Sequence, residues 1–280
     1  MMITMRSTTR KPAAIFAFIA IAVSACSCGG SPSPDGVPTS TPSPSVSTPP
    51  PSSPTPSPEG RPIEIPPANG TYQVRIEPAD FGRPVDNPYF PLQPGTTYMF
   101  EGTSGGRREV DTVTVTRRTK EILGVTCIVV RDEVSVGGAR QELTFDWYAQ
   151  DVDGNVWYFG EDSREYANGV VTGTGGSWEA GVNGALPGVI MLADPRIGTA
   201  YRQEFFRGAA EDKGKVVALG QHVSVPAGSF GNVVVTEDFT PLEPSILERK
   251  YYAPGIGVVL ERLISGGDEV SRLVHIQRPA

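Results

Sequence analysis

Residues 144–165, with the sequence TFDWYAQDVDGNVWYFGEDSRE, decide the fold of this chain. Two runs of aromatic and β-branched residues flank the turn-forming residues 151–154, which is the pattern of a β-hairpin. The stretch also contains several carboxylates close to its tryptophans and tyrosines. It therefore predicts an antiparallel strand pair at the centre of a β-rich domain.

Two turns are compatible with this hairpin, and they give different registers. A two-residue type I′ turn would pair Gln150 with Trp157. A type I turn followed by a bulge at Gly154 would instead pair Ala149 with Trp157. The second turn is favoured, because it gathers the large apolar rings on one buried face and leaves the tyrosines outside. The rings are Phe145, Trp147, Trp157 and Phe159, and the tyrosines are Tyr148 and Tyr158.

The segments on either side of the hairpin continue the β pattern. Residues 110–119 alternate and are β-branched, and short Gly, Asp or Asn turns separate such runs. We count about a dozen strands and predict an all-β domain, a large curved antiparallel meander sheet or open half-barrel. Little helix is expected outside the signal peptide. The glycine-rich residues 166–200 are expected to form a loop across the sheet, with a short strand near residues 177–180.

The first part of the chain has the features of an export signal. Arg6, Arg10 and Lys11 precede a continuous apolar run at residues 13–23. The run is too short to span a bilayer comfortably and is typical of a secretory signal peptide. We assign residues 1–25 to this signal.

The run ends in the sequence VSAC at residues 23–26, which resembles the lipobox of bacterial lipoproteins. The resemblance implies that Cys26 becomes the mature N-terminus and carries a diacylglycerol group with acyl chains such as palmitate. Ordinary cleavage, which would release a soluble protein, is the alternative. Residues 26–69 comprise this cysteine and a linker rich in Pro, Ser and Thr, which predicts a disordered tether. Residues 70–280 are predicted to form one extracytoplasmic domain.

Charge and cysteine usage exclude several function classes. The net charge is -7 and no basic stripe reverses it locally, so nucleic acid is not an expected partner. Cys127 is the one cysteine of the domain and lies among β-branched residues, which predicts a small buried side chain rather than a catalytic thiol or a disulfide. His222 and His275 have no Cys or His partner at zinc-ligand spacing.

The hairpin turn also allows a metal interpretation. Asp151, Asp153 and Asn155 occupy positions one, three and five of an EF-hand loop, but the glycine falls at position four instead of six. Because the flanking segments are predicted strands, we favour a structural turn and keep calcium as the alternative. No cofactor is predicted.

Catalytic patterns are weak in this sequence. No Gly-x-Ser-x-Gly motif is present, whereas paired carboxylates near the hairpin could hydrolyse glycosides with Trp178 as a sugar platform. The same region could instead bind a ligand without catalysis. The candidate ligand face consists of Asp146, Tyr148, Tyr158, Glu161, Asp162, Trp178 and Glu179.

Three blocks of the domain resemble a group of bacterial secreted lipoproteins of unknown function. They are PYFPLQPGTTY at residues 88–98, DWYAQDVDGNVWYFGE at residues 146–161 and YYAPGIGVV at residues 251–259. The members of this group have no established catalytic role that the resemblance could transfer to this chain. The arrangement of strands is also similar to the LolA-like lipoprotein carriers, which implies a half-barrel around an apolar cavity.

These features predict a lipid-anchored extracytoplasmic protein with a non-catalytic binding or envelope-interaction role. It would be held at the cell membrane or the outer membrane through its lipid. A carbohydrate-active hydrolase with an acidic site near residues 144–165 and a carrier of an apolar ligand are the alternatives. The expected partners are the membrane and either a cell-envelope polymer or an apolar small molecule. The sequence leaves the oligomeric state open.

Overall fold

The computed structural model describes residues 63–279; the predicted signal peptide, Cys26 and most of the linker lie outside the described residues. The described chain forms a sixteen-stranded sheet. Its one helical element is a short 3-10 turn, Pro78–Asp80. Within residues 63–279, no helix has the length and apolar character needed to span a membrane.

The strands follow one another closely along the chain. They are β1 (Phe81–Arg83), β2 (Thr97–Ser104), β3 (Arg107–Ile122), β4 (Val125–Val136), β5 (Ala139–Asp151), β6 (Val156–Ala167), β7 (Val170–Gly173), β8 (Trp178–Glu179), β9 (Leu186–Met191), β10 (Ala200–Arg202), β11 (Glu204–Phe205), β12 (Lys213–Val225), β13 (Gly228–Phe239), β14 (Leu247–Ala253), β15 (Gly257–Ser265) and β16 (Val270–Gln277).

The sheet is antiparallel and curves until its two edges meet. Its strand order is β10-β12-β13-β14-β15-β16-β2-β3-β4-β5-β6-β9-β11, while β1 pairs with β5 and both β7 and β8 pair with β6. The two terminal strands, β10 and β11, are separated along the chain by Gln203 alone. One short segment therefore belongs to both edges. Gly188 of β9 lies so close to Gln203 that a Cβ would collide with its backbone. The predicted curved antiparallel sheet is confirmed.

One part of the expected loop at residues 166–200 is instead a strand. Leu186–Met191 forms β9, in which Val189 pairs with Trp157 of β6. Most of β9 is buried, so its sequence is continuously apolar and lacks the alternation that marks a half-exposed strand. The strand was missed for this reason.

The register of the central hairpin is the one that the type I turn predicts. Ala149 pairs with Trp157, and Gly154 has a φ of +98°. A second irregularity was not predicted: the register shifts where Asp146 pairs with Glu161 and Tyr148 pairs with Tyr158. The shift adds one residue to β6, so Tyr158 and Glu161 can both contact the residues of one face of β5.

The prediction that the two hairpin tyrosines lie outside the core is wrong. Tyr148 and Tyr158 are 4% and 0% exposed, because they face the interior that the curved sheet encloses. The opposite face is buried as well, since Phe81 packs edge-on against the rings of Trp157 and Phe159. Both faces of the central hairpin are therefore covered.

The folded unit also includes residues that composition assigned to the linker. The backbone N–H of Ile63 donates to Asp153 at 2.6 Å, and Pro67 forms an isolated β-bridge with Tyr201. Asn69 accepts a hydrogen bond from Lys213 at 3.1 Å. These contacts begin ahead of the predicted domain boundary at residue 70.

Candidate binding site inside the curved sheet

The interior of the sheet carries an unusual number of buried carboxyl groups. Strands from opposite parts of the strand order contribute them, and the curvature brings these strands to face one another. Buried acidic residues other than Asp151 of the hairpin turn are Glu109, Asp111, Glu142, Asp146, Glu161, Glu204, Asp212, Asp238, Glu248 and Glu261. Burial penalises the charged form of a carboxyl and raises the pKa values of several of these groups, Asp146, Glu161 and Glu261 among them.

The hydroxyl of Tyr158 connects two of these groups. It lies 2.8 Å from Asp146 Oδ1 and 2.7 Å from Glu161 Oε2. Because a hydroxyl has a single proton, it can donate to only one carboxyl, and the other must donate a proton to it. Burial raises the pKa of Asp146 to about 7 and raises the pKa of Glu161 well above its usual value. The arrangement is therefore a protonated network near neutral pH.

Lys250 provides a positive charge within this cluster. Its Nζ lies 3.4 Å from Asp238 and 3.5 Å from Glu248. Burial opposes the charge, but the carboxylates of Glu261, Glu248 and Asp238 outweigh it and raise the pKa of Lys250. The lysine is therefore positively charged across the physiological range.

A cavity of about 110 Å³ lies beside Lys250. Apolar side chains form most of its wall, and polar groups form its base. The wall includes Leu92, Tyr98, Phe100, Val113, Ile190 and Val258, and the base comprises Asp132, Tyr148, Lys250, Tyr252 and Glu261. Phe90, Pro91 and Ile256 also line the cavity; they are half-buried and lie in the loops between strands, and we call them its rim.

Several oxygen atoms at the base of the cavity have no hydrogen-bond donor in the described part of the chain. They are Oε2 of Glu261 and Oδ1 of Asp132, with both carboxyl oxygens of Asp111 behind them. Burial raises the pKa values of Asp111 and Asp132. Glu261 is 3% exposed. Burial raises the pKa of Glu261, and a donor inside the cavity would stabilise the ionised form by hydrogen-bonding to its Oε2.

The structure brings five of the seven predicted ligand-face residues together in the interior. Tyr148 stacks on Tyr158 with 4.9 Å between ring centroids, and Trp178 meets Tyr158 edge-on at 5.3 Å. Trp178 Nε1 donates to Glu204 at 2.8 Å. Asp146 and Glu161 complete the group through Tyr158.

The other two predicted residues lie apart from this group. Asp162 pairs with Arg164 at 2.9 Å, and Glu179 pairs with Lys120 at 2.7 Å. Trp178 itself is 4% exposed, so its ring faces are not available as the surface platform that a sugar would need. The hydrolase alternative loses that support.

Sequence reasoning missed the base and wall of the cavity, which come from segments far from the hairpin. The strand β14 held a usable signal, since Glu248, Lys250 and Tyr252 alternate along it and therefore share one face. An alternating polar set of this kind is ordinarily assigned to solvent. Here that face is turned inward.

The residues of the calcium alternative are engaged by protein donors. Asp151 accepts hydrogen bonds from the backbone and side-chain nitrogens of Asn155, both at 2.9 Å, and from Trp157 Nε1 at 2.7 Å. Asp153 accepts from Ile63, and Asn155 Oδ1 accepts from the backbone of Ala193. In residues 63–279, no group of three or more His, Cys, Asp or Glu side chains is placed to hold a metal ion.

A second, more open groove of about 480 Å³ lies beside the register shift of β3. Arg83, Arg117 and Arg118 line it and are exposed. Arg118 lies 5.7 Å from the ring centroid of Phe145. These three cationic side chains therefore remain solvated, unlike the buried polar groups at the base of the interior cavity.

Cys127 is placed as the sequence predicts. Its side chain is 0% exposed, and burial raises the pKa of the thiol. A buried thiol of this kind is chemically inert.

No protein-family model and no curated protein matches the chain. Among solved structures, it is similar to a Bacteroides fragilis protein described as exported and of YmcC-like fold, with 17% identity and a TM-score of 0.42 over 68% of this chain and 99% of that one. It is also similar to a Parabacteroides distasonis protein described as a lipoprotein, with 11% identity and a TM-score of 0.38 over 68% of this chain and 98% of that one.

Proposed function

We propose that this chain is a lipid-anchored extracytoplasmic binding protein that holds a small amphipathic ligand in its interior cavity. The ligand's apolar part contacts Phe100 and Val258, and its polar end is an amine or a hydroxyl that donates to Glu261 and Asp132. The observation that carries the proposal is the acceptor atom of Glu261, buried without a donor at the base of an apolar-walled cavity.

The size of the cavity limits the ligand. A dry cavity of about 150 Å³ in another protein holds benzene. The present cavity is about 110 Å³, so a group of about four to six carbon atoms is the largest that it encloses. A longer chain would continue past the rim at Phe90 and Ile256.

The polar groups at the base of the cavity favour a ligand that donates a hydrogen bond. A buried acceptor left without a partner costs about 1–3 kcal/mol, which a donating ligand recovers. A carboxylate ligand would add a negative charge beside Asp132 and Glu261. An ammonium group would instead complement Asp132 and Glu261, because an opposite charge favours their ionised form. The positive charge of Lys250 is offset by Asp238 and Glu248, which lie 3.4 and 3.5 Å from its Nζ.

Binding of hexylamine and hexanoate near neutral pH tests this chemistry at constant chain length. We expect hexylamine to bind at least about tenfold more tightly than hexanoate, a difference of about 1.4 kcal/mol. Isothermal titration of the purified protein measures both affinities. Equal affinities, or tighter binding of hexanoate, would contradict the proposal.

A matched pair of variants assigns the selectivity to the cavity. Glu261→Gln keeps the size of the side chain but removes the carboxylate, and it should bring the two affinities within about threefold of each other. Glu237→Gln changes the same atoms on a half-buried residue that pairs with Arg249. The control variant should retain the selectivity of the unmodified protein.

The anchor is tested separately. Cys26→Ala should abolish incorporation of radiolabelled fatty acid and release the protein from the membrane fraction, because it removes the thiol that the lipobox would present. Cys28→Ala, two residues away, is the control and should leave labelling intact. Persistent labelling of the Cys26→Ala protein would show that the lipobox interpretation is wrong.

A further inference from the structure

We infer a binding site for a small oxyanion between Arg202 and Lys213, on a part of the molecule separate from the interior cavity. Arg202 ends β10, Lys213 begins β12, and the two residues are direct partners in the antiparallel register. They are 7% and 9% exposed. Two cationic side chains are therefore buried side by side.

The guanidinium lacks the acceptors that a buried arginine needs. Nε and Nη1 of Arg202 have no hydrogen-bond partner in the described part of the chain. The described residues also place no carboxylate within ion-pair distance of either cation. Lys213 Nζ donates to Asn69 Oδ1 at 3.1 Å, which uses one of its three protons.

The surrounding rings restrict the guanidinium to this position. It lies 5.4 Å from the ring centroid of Tyr72 and 4.6 Å from that of Phe205. The two rings contact each other edge-on at 5.5 Å, and the hydroxyl of Tyr72 donates to the backbone of Pro187 at 2.8 Å. Arg202 is therefore held by aromatic contacts and is not free to reach a surface carboxylate.

Two buried positive charges, those of Arg202 and Lys213, favour a negative charge between them. Like charges directly opposite in a sheet are destabilising, and burial increases the cost. Burial and the charge of Arg202 both lower the pKa of Lys213, and the carboxylate of Glu211 opposes this only in part. Glu211 Oε1 accepts a hydrogen bond from the backbone of Gly208 at 2.8 Å.

An oxyanion satisfies both side chains at once. A carboxylate, phosphate or sulfate oxygen pair accepts two hydrogen bonds from the guanidinium fork and a further one from the ammonium group. The segment that carries Asn69 and Tyr72 covers the pair, so bound anion would also fix this segment to the sheet. A free anion and an anionic end group of a larger molecule share this chemistry.

The melting temperature of the full-length chain in phosphate, compared with chloride at equal ionic strength, tests the inference. Millimolar phosphate should raise the melting temperature by about 5 °C if it binds with a dissociation constant of about 0.1 mM. Arg202→Gln should remove this rise. Arg117→Gln, at an exposed arginine, should retain it and so controls for the loss of a charge and for general effects of phosphate.

An equal melting temperature in phosphate and chloride would overturn the inference, as would a rise that survives in Arg202→Gln. If Arg202→Gln does not fold, Lys213→Gln decides in the same way, because it removes the second donor. A nucleotide and a short acyl phosphate, compared with inorganic phosphate, show whether the site binds a free anion or the anionic end group of a larger molecule. Tighter binding of the larger molecule indicates the end group.

Discussion

The free energy of unfolding should be greatest in mild acid and should fall as the pH rises from about 4.5 to 8, by at least the roughly 4 kcal/mol that one group with a pKa raised by about three units contributes. Burial raises the pKa values of Glu109, Asp146, Asp212 and Glu248 to about 7. The corresponding values in an unfolded chain are about 4. Each unit of difference for one group corresponds to about 1.4 kcal/mol, and coupled groups do not titrate independently.

The sign follows from proton counts. Between the unfolded and folded pKa values, the folded protein binds more protons than the unfolded chain, so unfolding releases protons and becomes easier as the pH rises. The stabilisation is complete below about pH 4 and is lost through about pH 7, while the groups with still higher pKa values extend the loss further. A carboxylate whose pKa is lowered by an ion pair behaves differently, because its contribution to stability is lost only as the pH falls below about 5.

Urea unfolding at several pH values measures this slope. Asp146→Asn should flatten the slope, because the amide does not ionise. The stability of this variant, measured relative to the unmodified protein, should therefore increase from pH 5 to pH 8. Asp194→Asn removes an exposed carboxylate that pairs with Arg196, and its slope should match that of the unmodified protein. A stability that rises from pH 5 to pH 8 would show that the interior carboxyls are ionised without penalty.

Asp151→Ala should destabilise the domain by about 3–5 kcal/mol. The Asp151 carboxylate is 0% exposed and accepts three hydrogen bonds from Asn155 and Trp157. The alanine variant leaves these buried donors without a partner at the turn that sets the hairpin register. Chemical denaturation with fluorescence detection measures the change.

Asp153→Asn is the matched control, because Asp153 is exposed and accepts one hydrogen bond from Ile63. Its effect should stay below about 1 kcal/mol. Millimolar calcium should leave the melting temperature of the unmodified protein unchanged, since protein donors already occupy Asp151. A stabilisation by calcium that Asp151→Ala removes would restore the calcium alternative.

Local patterns in the sequence were sufficient for most of the strands and for the central register, but not for β9. Alternation located β3, and the position of Gly154 selected the pairing of Ala149 with Trp157. These features depend on residues that are close together in sequence, so short-range sterics determine them.

The location of the site could not be obtained in this way. Alternation shows that Tyr148 and Trp157 lie on opposite faces, but it does not show which face the sheet encloses. That depends on how far the sheet curves and on the covering segment that carries Phe81. Lys250 and Glu261 are about a hundred residues from the hairpin in the chain, and only the strand order brings them to Tyr148.

A crystal structure of the protein with hexylamine bound tests the central claim most directly. We expect the alkyl chain in the cavity beside Phe100 and Val258, with the nitrogen within hydrogen-bond distance of Glu261 or Asp132. An amine found only on the outer surface, or an alkyl chain in the cavity with its nitrogen directed out past Phe90 and Ile256, would contradict it.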